Sequence, residues 1–318
     1  MAKAWMRQLQ VILTSNALRK RMTFGTNDNR GKDDLSISIT GTKYMSSLKD
    51  AFTIKLVNLS YFEICELING QYYDVEIKAG YKSAGLHTIF KGGVLYISNI
   101  FGDRKSSECM IFCASNLIAK YGQSRMNLGL NSGINMYAGI KFIAKAAGIG
   151  NSNVDESFKL KIFRACEEAT GTLANWLDVF CNSNNACINT DASYSTDFTI
   201  FNPLRKDARV IKLTSNTIIL TSGYPTLTNE GLNICLMPTF NFMCGDTIVL
   251  DNSIIDIGIT NASDYSKNYG YYMDKEGKYL IYRIDYALEN RSGDFSIKML
   301  CKSKSLVTST LGGLGYAK

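Results

Sequence analysis

The chemistry this chain can perform is bounded first by its single histidine, His87. Histidine is the commonest general base and metal ligand near neutral pH, so one imidazole removes most acid–base and metal chemistry. His87 lies in the turn-like stretch Gly85-Leu-His-Thr88, where a solvated or hydrogen-bonded structural role is expected. The nine cysteines are Cys65, Cys109, Cys113, Cys166, Cys181, Cys187, Cys235, Cys244 and Cys301. No two have CxxC spacing, and with one distant histidine they complete no zinc tetrad. They read as reduced, buried thiols acting as small hydrophobes. A nucleophile built on Cys113 or Cys166 would need His87 as its base. The carboxylate pairs Asp33/Asp34 and Glu167/Glu168 could serve as acid and base only if one carboxyl sat in an apolar pocket that raised its pKa. The first pair falls in a polar turn and the second on the wet face of an expected helix. The chain has no GxSxG, HExxH or GxxxxGK[ST], and no GxGxxG after a strand. The sequence therefore assigns no catalytic, cofactor-binding or metal-binding residue.

The elements that would have to position any site come next. The 318 residues suggest about two domains, and a chain of this length needs no disulfide or metal to bury a core. The 35 Lys and Arg against 28 Asp and Glu give +7, too thinly spread to specify a nucleic-acid partner. Basic residues cluster at Arg19-Lys20-Arg21 and Lys302-Ser-Lys304, without the aromatic platform of a nucleic-acid reader. The opening MAKAWMRQLQVILTSNALRKR does not read as a signal peptide, and no apolar run reaches the roughly 18 residues of a membrane helix. A cytoplasmic product with no membrane insertion is the expectation.

Residues 1–105 carry the period of half-buried strands: Leu35, Ile37 and Ile39 alternate with Ser36, Ser38 and Thr40. Phe52, Ile54, Leu56 and Tyr73, Val75, Ile77 repeat the pattern, with a short helix expected at Tyr61–Ile68. From 106 to 185 the period is helical. Helices are expected from a Ser132 cap to Lys145, from Asp155 to about Ala169, and from Thr172, where Leu173, Trp176, Leu177, Phe180 and Cys181 form one stripe. From 186 to 306 strands return and close in a hairpin, Tyr279–Leu288 with Phe295–Leu300. Residues 307–318 read as a flexible Gly-rich tail. Six tyrosines, Tyr269, Tyr271, Tyr272, Tyr279, Tyr282 and Tyr286, suit either an interface or a sheet. The fold class is mainly β with an α-rich insert (α+β), two antiparallel β-barrel or sandwich units flanking a helical region. Ile54-Lys-Leu56 with Val75-Glu-Ile77 is echoed by Ile234-Cys-Leu236 with Ile248-Val-Leu250, which suggests a duplicated unit.

The order of motifs resembles the baseplate hub proteins of contractile-tailed bacteriophages and related contractile injection systems. The residues that carry the resemblance are Phe52–Ser60 with its Asn58-Leu59-Ser60 turn, Gly70–Tyr81 ending Ala79-Gly80-Tyr81, and Phe90-Lys-Gly92. Farther on they are Gly223-Tyr-Pro225, Gly231–Ile234, Met237-Pro238, Gly245-Asp246 and Tyr282-Arg-Ile284 before Gly293. The resemblance implies a non-enzymatic virion protein of the tail baseplate, assembled in the host cytoplasm. It implies two tube-like domains per chain and a homotrimer that adapts a hexameric tail tube to a trimeric central spike. Implied partners are the tube, spike, baseplate wedge and tape measure proteins, with DNA only in passage through the lumen. Two other readings stay open: a tail-associated cell-wall hydrolase using an Asp/Glu pair, and a monomeric intracellular protein-binding β module.

Overall fold

A computed structural model describes residues 6–25, 35–45, 50–101, 107–122, 125–190, 197–203, 205, 208–214, 223–228, 230–257, 273–291 and 293–304. The first part of the chain runs β1 (Arg7–Ser15), β2 (Lys20–Gly25), β3 (Ser36–Tyr44), β4 (Ala51–Val57), α1 (Tyr61–Asn69), β5 (Asp74–Tyr81), β6 (Gly85–Phe101) and β7 (Ser107–Ala114). The middle runs α2 (Asn116–Tyr121), β8 (Arg125–Leu130), α3 (Met136–Ala146), β9 (Ser152–Val154), a 3₁₀ turn (Glu156–Leu160), β10 (Glu167–Thr172), α4 (Leu173–Ser183), β11 (Cys187–Asn189) and β12 (Phe198–Phe201). The last part runs β13 (Val210–Leu213), β14 (Thr226–Thr228), β15 (Gly231–Leu236), β16 (Thr247–Leu250), β17 (Asp256–Ile257), β18 (Lys278–Glu289) and β19 (Phe295–Ser303). The chain is mainly β with an α-rich insert. Asp33/Asp34, Tyr269, Tyr271, Tyr272 and the 307–318 tail lie outside the described residues.

One large sheet runs through both β parts in the order β17-β14-β15-β19-β18-β3-β4-β7-β6-β5-β1-β2. Its apolar residues fall every second position, so each strand gives one face to the core and the other to solvent. β6 is long enough to serve two layers: residues 85–93 pair with β5, and residues 93–101 pair with β7. The strand turns its corner at Gly92 and Gly93. A Cβ on Gly92 would stand 2.3 Å from the Ala114 carbonyl oxygen, and one on Gly93 would stand 2.4 Å from Ala119 Cβ. Only glycine lets the two backbones approach that closely. Across the layers, Phe52 stacks on Phe90 with ring centroids 4.2 Å apart, and Tyr81 meets Phe295 edge-on at 5.2 Å.

A second core cluster gathers Leu117, Ile140, Ile143, Phe158, Trp176, Phe180, Ile188 and Phe198 beneath the helices. α4 is capped by Thr172 and buries the stripe from Leu173 to Cys181, as its period requires. α1 spans the expected short helix and closes its N-terminus with a Ser60/Glu63 capping box.

Two helix expectations change. α3 starts at Met136 under an Asn135 cap, because Gly133 takes φ +82 and cannot continue a right-handed helix from Ser132. No helix runs from Asp155 to Ala169. Asp155 caps only the 3₁₀ turn, and Glu167–Thr172 leaves as β10 to pair antiparallel with β8. That pairing hydrogen-bonds the backbone with a distant partner, which local helical spacing cannot anticipate.

Candidate assembly site

The sheet contains the same five-strand unit twice. In the first part β3, β4, β5, β6 and β7 lie in the order β5-β6-β7-β4-β3, every pair antiparallel. In the last part β14, β15, β16, β18 and β19 lie in the order β16-β18-β19-β15-β14, again with every pair antiparallel. First strand matches first and fifth matches fifth. The sequence echo falls on equivalent strands, Ile54–Leu56 and Ile234–Leu236 on the second, Val75–Ile77 and Ile248–Leu250 on the third. In both units the fourth strand bulges against the fifth, between Val94 and Tyr96 in β6 and between Ile281 and Arg283 in β18. Matching bulges at matching places mark a duplicated structure rather than two unrelated sheets.

The units join through their fourth and first strands. Beyond its bulge, β18 pairs residues 283–289 with Tyr44–Ser38 of β3. The equivalent half of β6 pairs only with β7, and its other edge has no strand partner among the described residues. Leu95 and Tyr96 stand on this half at 48% and 56% exposure. At one end of the sheet, β14 carries only the two-residue β17 among the described residues. An open edge with exposed apolar side chains is a template for another strand.

The face turned away from the core carries hydroxyls beside apolar side chains such as Val57, Tyr96, Met110 and Phe112. Register places Ser36, Ser38, Thr40 and Thr42 of β3, Thr53 of β4, Ser98 of β6 and Ser296 of β19 on it. Its described charges nearly balance: Lys55, Arg283, Lys298 and Lys302 stand against Glu108, Asp285 and Glu289. Lys55 Nζ lies 2.7 Å from Glu108, and Arg283 Nε lies 3.0 Å from Asp285, whose other oxygen accepts from Thr42 at 2.9 Å.

The connections from second to third strand differ between the units. The first unit uses α1. The second uses residues 237–246, folded around Asp246, which accepts from the Met243 amide at 3.0 Å and from Arg209 Nε at 3.2 Å. Burial raises the Asp246 carboxyl above its usual range, while Arg209 and the Met243 amide pull the other way.

The residues singled out for chemistry do not converge. His87 lies on β6 opposite Ala79. Burial pushes Cys109 up to about 11 and Cys113, Cys181 and Cys187 up to about 12, which keeps them protonated and poor as nucleophiles. Cys244 and Cys301 are also buried, Cys65 and Cys235 are half-buried, and Cys166 is exposed. Glu167 and Glu168 are consecutive on β10, so their side chains point to opposite faces. Glu167 accepts from Trp176 Nε1 at 3.3 Å. Lys20 pairs with Glu66 at 3.6 Å, and Lys302 lies 4.0 Å over the Tyr282 ring. Tyr279 and Tyr286 are core residues. Among the described residues no group of three His, Cys, Asp or Glu could hold a metal, and no helix is long and apolar enough to cross a membrane. The site that sequence reasoning missed is the open half of β6, because strand order depends on pairing between distant residues.

No family model matches the sequence, and no curated protein is detectably similar to it. Solved structures match over nearly the whole chain. The 43 kDa tail protein of prophage MuSo2 from Shewanella oneidensis superposes with a TM-score of 0.58 at 8% identity, covering 94% of this chain and 98% of that one. A tail protein from Neisseria meningitidis MC58 gives 0.57 at 7% identity, covering 96% and 98%. The E. coli c3393 protein, a type VI secretion component described as structurally similar to the T4 bacteriophage tail proteins gp27 and gp5, gives 0.56 at 11% identity, covering 87% and 76%. The chain has the fold of these tail proteins.

Proposed function

We propose that the chain is a structural protein of a phage tail or related injection machine, a trimeric baseplate hub. The observation that carries this reading is the duplicated unit with one junction made and one left open. Within the chain, β18 of the second unit pairs with β3 of the first. The open half of β6 then meets the β14–β17 side of a second copy. Three copies closing head to tail make six similar positions. Such a ring offers sixfold spacing to a hexameric tail tube and threefold symmetry to a trimeric central spike, with wedge and tape measure proteins as further partners. The proposal places the ring in the virion baseplate after assembly in the host cytoplasm. It divides the chain into two tube-like units, a helical insert and a tail at 307–318; relative to bounds of 1–105, 106–185 and 186–306, β7 goes with the first unit and β11–β12 go with the insert, and the β18–β19 hairpin is shared between the tube-like units.

The hydroxyl-bearing face lines the channel in this reading. Near-balanced described charge suits passage of DNA, because many uncompensated Lys and Arg would release counterions and hold the phosphates. A non-enzymatic role is supported by the protonated buried thiols and by the opposed faces of Glu167 and Glu168. Negative-stain averages of the purified assembly test the proposal. A threefold ring with six similar lobes and a central opening supports it, and single-lobed monomers at every concentration contradict it.

A further inference from the structure

Two surfaces of this chain, far apart in sequence, are complementary to each other. α1 buries Ile64 and Leu67 and turns Tyr61, Phe62 and Ile68 outward at 69%, 84% and 59% exposure. Cys65 lies between these side chains, and Glu66 shares the outward face, its carboxylate 44% exposed, with Lys20 3.6 Å away and the Tyr72 hydroxyl donating to the same oxygen at 3.3 Å. Amphipathic helices bury one stripe, and this one presents a second apolar stripe to solvent. On the helical insert, a groove of about 700 Å³ opens between residues 160–165 and α4. Leu160, Ile162 and Val179 line it at 92%, 53% and 62% exposure. Lys161 and Arg164 stand at its rim without an acidic partner among the described residues, and the groove's one acid, Glu167, is engaged by Trp176. Ser183, Asn184 and Asn185 give the groove a polar wall opposite these exposed aliphatic side chains, a combination that marks a binding site. Their cationic rim calls for an occupant that is apolar and acidic, which is the chemistry of the outward face of α1.

We infer that α1 of one copy seats in this groove of the next copy. Phe62 and Tyr61 pack against Leu160, Ile162 and Val179, and Glu66 faces Arg164. The contact joins two different patches, so it is heterologous and propagates around a closed ring instead of stopping at a dimer. It also distinguishes the two units, because the second-unit counterpart of α1 is the loop folded around Asp246. The inference rests on the ring reading above.

The chain carries its own reporters: Cys65 on α1, and exposed Cys166 next to the groove residues Ala165 and Glu167. Copies labelled with ¹⁴N and ¹⁵N are mixed dilute, concentrated together, treated with a short bis-maleimide and digested for mass spectrometry. The expected result is a Cys65–Cys166 linked peptide carrying both isotopes. Its yield falls at least tenfold in Phe62→Asp and in Arg164→Glu, and returns when Glu66→Arg is combined with Arg164→Glu. Phe62 and Arg164 are exposed, whereas Glu66→Arg gives up the contacts with Lys20 and the Tyr72 hydroxyl, so the far-UV circular dichroism and melting of each variant are compared with the native chain. A trimer in which both cysteines are singly modified, or linked only within one isotope, overturns the docking while leaving the ring intact. A chain that stays monomeric overturns the ring itself, so the two failures are told apart.

Discussion

Arg7 Nη1 donates to the carbonyl of Gly293 at 2.8 Å, joining the first strand to the turn of the closing hairpin across 286 residues. The same guanidinium lies 5.4 Å from the Phe295 ring centre. Nearby, Asn290 Oδ1 accepts from the Ile37 amide at 2.9 Å, and its Nδ2 donates to the Leu35 carbonyl at 2.8 Å. The hairpin at the end of the chain therefore completes the β unit at its beginning. Arg7→Ala should cost about 1–2 kcal/mol, the worth of a charged hydrogen bond with a cation–π contact. Asn290→Ala should cost about 2–3 kcal/mol, since two backbone groups lose their partners. Urea unfolding followed by the fluorescence of Trp5 and Trp176 together with far-UV circular dichroism measures both, and no change in either variant would mean that the hairpin does not close the unit.

Stability should fall in alkali. Cys109, Cys113, Cys181 and Cys187 are raised from 9.0 to about 11–12 by burial. Between those values the unfolded chain has released protons that the folded chain still holds. The contribution of these thiols is therefore complete below about pH 9 and is lost as pH rises toward 11–12. Each thiol lowers stability by up to about 1.4 kcal/mol per pH unit in that window. Urea midpoints should be level from pH 7 to 8.5 and drop steeply by pH 10.5. A level profile to pH 10.5 would show that the thiols reach solvent.

Charge on the open half of β6 should block assembly without unfolding the chain. Leu95→Lys combined with Tyr96→Glu alters half-exposed side chains, and losing the stack of Tyr96 on Phe112, with ring centroids 4.3 Å apart, should cost the monomer about 1 kcal/mol, too little to unfold it. The assembled mass should fall to that of one chain. Assembly that survives both changes would place the copy-to-copy junction elsewhere.

Positive charge on the hydroxyl-bearing face should create an affinity that the native ring lacks. Ser38, Thr40 and Thr53 lie together on this face, with Thr40 directly opposite Thr53. Their replacement by lysine should give duplex DNA binding that weakens with rising salt, measured by fluorescence anisotropy. The native assembly should show no binding at about 0.15 M salt. Equal behaviour of native and triple-lysine rings would argue that DNA does not meet this face.

Legibility in the sequence followed the range of the interactions. The alternation through Ile37, Ile39, Ile54 and Leu56 places each residue on its face, because strand faces repeat every second residue whatever the partner. The stripe from Leu173 to Cys181 was equally readable, since one helix face is set by local spacing and by the Thr172 cap. β10 was not readable as a strand, because Glu167–Thr172 is held by pairing with residues 125–130. The echo between Ile54–Leu56 and Ile234–Leu236 pointed to duplication, yet the shared strand order and the open half of β6 exist only once distant strands pair. Gly92 and Gly93 carried a visible signal: two consecutive glycines inside a strand pattern mark a corner. The groove of the insert carried a faint one in Leu160-Lys-Ile162, an apolar pair interrupted by charge, which a helical period would have turned to different faces.

A hub of this kind requires three copies closing one ring, so the molar mass of the purified assembly is its most direct test. Static light scattering should give about 106 kDa, three times the 35.3 kDa chain, at concentrations where the copies associate. A mass that stays at one chain, or that settles at two, would contradict a ring built from the open half of β6.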